Sequence, residues 1–99
     1  MNHLKEITAK LEEYGLDAML LTSEPGEFYA VGFHGEGAVV VGKKECRYFT
    51  DSRYIEAAGE TVTGAAITMT DRELSQRALV TRAVEEMGIQ RLGIEEHYL

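Results

Sequence analysis

The sequence predicts an α/β fold, a layered domain with a mixed β-sheet flanked by helices. Three observations lead there. Apolar residues recur at helical spacing near the start of the chain, as Leu4, Ile7, Leu11 and Tyr14, and again between residues 71 and 87. Short continuous apolar runs, Ala18-Met19-Leu20-Leu21 and Ala38-Val39-Val40-Val41, suit strands whose two faces are both covered. Helical and extended segments alternate along the chain, and layers of helix on sheet bury both kinds of apolar face. With 99 residues, 44% of them hydrophobic, the chain is long enough for one core and one domain.

In chain order, residues 3–14 form the first helix, with Asn2 as a candidate cap and Gly15 placed to end it. Its other face, Lys5, Glu6, Lys10, Glu12 and Glu13, is a solvated surface. Residues 17–22 follow as a strand buried on both sides. Ser23-Glu24-Pro25 begins a short second helix, because a proline in the first turn loses no hydrogen bond. Phe28, Tyr29 and Val31 supply its apolar face and Gly32 its end. Phe33-His34-Gly35-Glu36-Gly37 reads as loop by composition. Its glycine spacing looks superficially like a phosphate cradle, yet it misses the fingerprint and precedes a strand instead of a helix.

Ala38-Val39-Val40-Val41, the polar Gly42-Lys43-Lys44-Glu45 and Cys46-Arg47-Tyr48-Phe49-Thr50 make a β-hairpin. Asp51 or Ser52 then caps a third helix over residues 54–58, with Gly59 ending it. That places Arg53 in the first turn, where the helix dipole disfavours a cation. The misfit allows Arg53 a role in binding a carboxylate, alongside the simpler reading of an ion pair. Residues 61–68 read as a further strand, its Thr and Val favouring extended backbone and Gly64 allowing a bulge. Asp71 caps a last helix whose apolar side is Leu74, Ala78, Val80, Ala83, Val84 and Met87, ended by Gly88. Residues 90–95 form the final strand, and 96–99 a tail.

Composition excludes several classes of function. A formal charge of −7 with no basic run disfavours nucleic acid and anionic membranes, because phosphate surfaces call for clustered Lys and Arg. No apolar run approaches membrane length, and the polar opening Met1-Asn2-His3-Leu4-Lys5-Glu6 is unlike a signal peptide, so a cytoplasmic location is expected. The single Cys46, in a strand, reads as a buried, inert thiol. His3, His34 and His97 lie far apart without metal-ligand spacing. The acid pairs Glu12-Glu13, Glu85-Glu86 and Glu95-Glu96 point in different directions, so no metal clamp is expected in this chain. Ser23, Ser52 and Ser75 carry capping or surface readings, with no nucleophile-elbow signature.

The aromatic residues Phe28, Tyr29, Phe33, Tyr48, Phe49 and Tyr54 gather in one glycine-rich stretch. There the pattern Phe28-Tyr29-x-x-Gly32-Phe33-His34, a glycine loop, a Val-rich strand and Thr50-Asp51-Ser52-Arg53-Tyr54-x-Glu56-Ala57-Ala58 resembles the N-terminal domain of the creatinase and prolidase family. That family includes Xaa-Pro aminopeptidases and Xaa-Pro dipeptidases. The resemblance runs through nearly the whole chain, from the opening helix and strand to Arg91-Leu92-Gly93-Ile94-Glu95. It implies a noncatalytic domain with a ribonuclease H-like motif, residues 1–99 being a truncated form of it. It also implies a separate C-terminal catalytic domain of the pita-bread fold holding two divalent metal ions, manganese, cobalt or zinc. The parent is then a metal-dependent Xaa-Pro peptidase acting on short proline-containing peptides, with a second subunit as partner in a homo-oligomer. In dimeric members the loop after Gly-Phe-His reaches across the subunit interface. This makes Phe33 and His34 candidate substrate contacts in trans, with Arg53 beside them, and leaves the chain without catalytic residues of its own. Read without the resemblance, His34 is a surface histidine or one bonded to a loop carbonyl. The aromatic cluster is then core, or the wall of a pocket in a self-standing α/β small-ligand-binding module.

Overall fold

The computed structural model describes residues 2–95. Nine elements follow one another: α1 Leu4–Tyr14, β1 Ala18–Leu21, α2 Glu24–Val31, β2 Ala38–Gly42, β3 Cys46–Thr50, α3 Ile55–Thr61, β4 Ala66–Met69, α4 Gln76–Glu86 and β5 Leu92–Ile94. The strands form one mixed sheet in the order β4-β3-β2-β1-β5. β2 runs antiparallel to β1 and to β3, while β5 lies parallel to β1 and β4 parallel to β3. The fold is thus the mixed, helix-flanked α/β layer expected. The tail 96–99, with His97, lies outside the described residues.

The pleat divides the core between the two faces of the sheet. On one face Met19, Leu21, Val39, Val41, Cys46 and Tyr48 meet Leu4, Ile7 and Leu11 of α1, Ala30 and Val31 of α2, and Ala58 of α3. On the other, Ala18, Ala38, Val40 and Phe49 meet Leu79 and Ala83 of α4. Cys46 is buried, and that burial pushes its thiol pKa up.

Several local expectations change. Asn2 does not cap α1: its side chain donates to the Thr63 carbonyl at 2.8 Å, and His3 occupies the cap position with its ring bonded to the Tyr29 carbonyl instead of to the helix. α1 ends as expected at Gly15, whose φ of 71° closes the helix in the left-handed region. In α2, Ser23 is the cap, its Oγ accepting from the Gly26 N–H at 3.0 Å. The buried side of α2 is Gly26, Glu27, Ala30 and Val31. Phe28 and Tyr29 point outward, 49% and 40% exposed, correcting the apolar face assigned to them.

α3 runs through Gly59 to Thr61, and the chain leaves the helix where Val62 drops into the core. The strand foreseen from residue 61 therefore starts at Ala66. Asp71 caps a turn, its Oδ1 accepting from the N–H groups of Glu73 and Leu74, while Ser75 caps α4 through the Ala78 N–H at 3.1 Å. The buried side of α4 is Leu79 and Ala83, while Ala78 is exposed, correcting the apolar side assigned to Ala78.

Candidate functional site

Loop 33–37 lies between α2 and β2 and is held from below by Glu27. The Glu27 carboxylate is 1% exposed, and its Oε2 accepts from the Gly37 N–H at 2.7 Å and the Tyr48 hydroxyl at 2.5 Å. The Gly35 N–H reaches both carboxylate oxygens at 3.2 Å. Thr50 Oγ1 donates to the Gly35 carbonyl at 2.6 Å, so the loop is tied to β3 as well. Burial, then the hydrogen bond to Glu27, raises the Tyr48 pKa well above the ordinary phenol range. The glycines are required by close approach: a Cβ on Gly37 would lie 2.3 Å from the Phe49 carbonyl, and one on Gly35 2.4 Å from the Tyr48 hydroxyl. Between them Glu36 adopts a φ of 48°.

The exposed side of the loop carries the residues singled out from the sequence. The His34 ring stacks on Phe28, with centroids 4.3 Å apart and planes 9° from parallel, and its Nδ1 is 3.8 Å from Glu24. Phe33 sets its edge against Tyr48 and Tyr54 at 6.4 Å each. Arg53 lies in the turn before α3, outside the helix, because Asp51 accepts the Arg53 N–H at 2.9 Å instead of capping the helix. The guanidinium bonds Asp51 at 2.8 Å, reaches Glu36 at 3.2 Å and covers the Tyr54 ring at 5.0 Å. Tyr54 in turn donates to Glu36 at 2.8 Å, and this bond raises its pKa. Arg53 holds the Asp51 pKa below the usual carboxylate range, and Asp51 raises that of Arg53.

A cleft of about 530 Å³ opens beside the loop, lined among others by Glu24, Glu27, His34, Glu36, Tyr54 and Gln76. Phe33, His34 and Arg53 thus cluster around one loop and one turn, with His34 on the cleft wall and Arg53 joined to it through Glu36 and Tyr54. Arg53 already has two carboxylate partners, which distinguishes it from an open anion receptor. Glu27 was missed from the sequence as a site residue, and Phe28 was read only as core or pocket wall, not as the partner of His34. The available signal was that Ala30 and Val31 lie three and four positions after Glu27, which puts all three on one side of α2.

Among the described residues no three His, Cys, Asp or Glu side chains converge to hold a metal ion. Glu27 is fully engaged by donors of its own chain, and Glu36 faces Arg53 and Tyr54. The cleft therefore offers hydrogen bonds, ring faces and negative charge.

This sheet order, with a buried hairpin and a glycine loop, defines an α/β domain with its cleft at the loop between α2 and β2. The chain belongs to the creatinase/prolidase N-terminal domain family, whose model matches residues 3–99. Among solved structures it is similar to the Xaa-Pro dipeptidase from Bacillus anthracis, with 33% identity and a TM-score of 0.85 over 97% of this chain and 27% of that one. It is also similar to the N-terminal domain of the cytoplasmic peptidase PepQ from Mycobacterium tuberculosis, with 30% identity and a TM-score of 0.80 over 97% of this chain and 74% of that one. A third likeness is to the Xaa-Pro aminopeptidase from Streptococcus thermophilus, with 30% identity and a TM-score of 0.79 over 93% of this chain and 70% of that one. The chain therefore spans 27% of the length of the Bacillus anthracis dipeptidase. Comparison with curated proteins finds no match. No helix among the described residues is long and apolar enough to cross a membrane.

Proposed function

We propose that this chain is the noncatalytic N-terminal domain of a cytoplasmic Xaa-Pro metallopeptidase, of dipeptidase or aminopeptidase type. Its partners are its own C-terminal catalytic domain, carrying two divalent ions (manganese, cobalt or zinc), and a second subunit. The domain mediates contacts between subunits and narrows access to the active site, favouring short proline-containing peptides. Phe33 and His34 touch substrate bound in the partner subunit. Arg53 contributes from beside them, in competition with its own carboxylates Asp51 and Glu36. The observation that carries this reading is the match of 97% of the chain to 27% of an Xaa-Pro dipeptidase, because it leaves most of that enzyme free to house the chemistry.

The test is metal-dependent hydrolysis of an Xaa-Pro dipeptide by the complete peptidase and by the 99-residue chain. Turnover is expected only for the former, and His34→Ala should raise KM several-fold with metal content unchanged. Turnover by the short chain, or an unaltered KM in the variant, would overturn the corresponding part of the proposal. The cleft beside loop 33–37 lies wholly within this chain and favours one second reading, a self-standing small-ligand-binding module. Saturable binding of a small metabolite by the isolated chain would favour that reading instead.

A further inference from the structure

Loop 33–37 has the geometry of an anion cradle that the chain fills with its own carboxylate. The N–H groups of Gly35 and Gly37 converge on Glu27, with Glu36 between them at a φ of 48°. Successive amides flanking a left-handed residue form a concavity for negative charge. Here Glu27 fills it, which also explains why the glycine spacing imitates a phosphate loop without serving one. The next residue of α2, Phe28, projects from the other side of the helix and stacks under His34 at 4.3 Å. Two consecutive residues of one helix therefore grip the loop at two places, one from the core and one from the surface.

We propose that Glu27 and Phe28 are the positioning residues of loop 33–37, Glu27 fixing the backbone and Phe28 the plane of the His34 ring. The inference rests on the reading that His34 contacts substrate, and it names what orients that contact. α2 supplies the rigid frame for both residues. Its first turn is tied down by Glu95, whose Oε1 accepts from the N–H groups of Thr22 and Ser23 at 2.6 Å each and whose Oε2 accepts from Ser23 Oγ at 2.7 Å. A loop held this way loses little freedom when it meets a ligand.

The experiment is amide hydrogen exchange with imidazole NMR on the isotope-labelled chain. Glu27→Gln keeps the shape but replaces one acceptor oxygen by an NH₂ donor facing the loop amides. Exchange at Gly35 and Gly37 should rise about tenfold or more, beyond any rise at Val39–Val41, and the His34 ring signals should shift. Phe28→Ala should move the His34 ring signals by removing the neighbouring ring current, while Gly35 and Gly37 exchange within about twofold of wild type. Unchanged exchange in Glu27→Gln, or an equal rise throughout the sheet, overturns the role of Glu27. Unmoved His34 signals in Phe28→Ala overturn that of Phe28. If Glu27→Gln does not fold, Tyr48→Phe removes one donor from the same oxygen and must loosen the same two amides preferentially. On the complete peptidase, a loosened loop with KM unaffected in both Glu27→Gln and His34→Ala would leave this inference standing and remove the substrate-contact reading instead.

Discussion

Two carboxylates flank the same cleft, Glu27 below loop 33–37 and Glu36 on it, and they hold their hydrogen bonds under opposite conditions. Glu27 is sealed in the core and bonds two backbone amides and the Tyr48 hydroxyl. Glu36 is exposed, and bonds the Tyr54 hydroxyl and the Arg53 guanidinium. The second set contains the formal ion pairs and looks the stronger on paper. In water it contributes little, because solvent competes for every group and salt screens the charges. The first set is decisive because its members are buried away from water: removing Glu27 leaves the buried loop amides unsatisfied. Among the described residues no buried side-chain polar atom lacks a partner, so such a loss would stand out.

The largest expected effect is that of Glu27→Ala, which strands the Gly35 and Gly37 N–H groups and takes the carboxylate acceptor from the Tyr48 hydroxyl. We expect a loss of about 3 kcal/mol in urea unfolding, against no resolvable change for Glu36→Ala. Equal losses for the two variants would break the contrast. Next comes Gly37→Ala, whose new Cβ meets the Phe49 backbone carbonyl and should cost about 2 kcal/mol in the same assay. An unchanged unfolding midpoint would mean that the loop can move away from β3.

The pH dependence sharpens the comparison. The Tyr48 pKa is raised in the folded state by burial and by Glu27. Its contribution is therefore fully present below the ordinary phenol value of about 10 and declines as pH rises above it. Tyr48→Phe should flatten that alkaline decline of the melting temperature, and persistence of the full decline would reassign it to other groups. The Asp51 pKa is lowered by Arg53, so its contribution is present above the ordinary aspartate value of about 3.9 and is lost as pH falls through the lower folded value. Arg53→Met should weaken this acid limb with little change near pH 7, the smallest of the expected effects. A large loss of stability at neutral pH would show that the exposed cluster carries more than its solvent access allows.

Much of the fold was legible because it depends on local rules. The spacing of Leu4, Ile7 and Leu11 defines the buried stripe of α1, and the hairpin follows from two apolar runs around Gly42-Lys43-Lys44-Glu45. The site was legible in part. Phe33, His34 and Arg53 lie around one loop and one turn, with His34 alone of the three on the cleft wall, but Arg53 was placed one element too late and Phe28 on the wrong side of α2. Both errors have the same origin. Local pattern assigns Asp51 to a cap and an aromatic residue to the core, whereas the chain uses Asp51 on Arg53 and turns Phe28 outward to stack on His34.

The sequence by itself determined the α/β layering, the order of the elements and the family, since periodicity, turn residues and an ordered set of short motifs act over a few neighbours at a time. Helical spacing sets Glu27 on the side of Ala30 and Val31, but only the tertiary structure decided that its carboxylate could be buried there. A buried carboxylate is unfavourable unless donors surround it, and its donors come from a loop eight to ten residues later and from Tyr48 in a strand. No local rule can count partners that distance in sequence keeps apart.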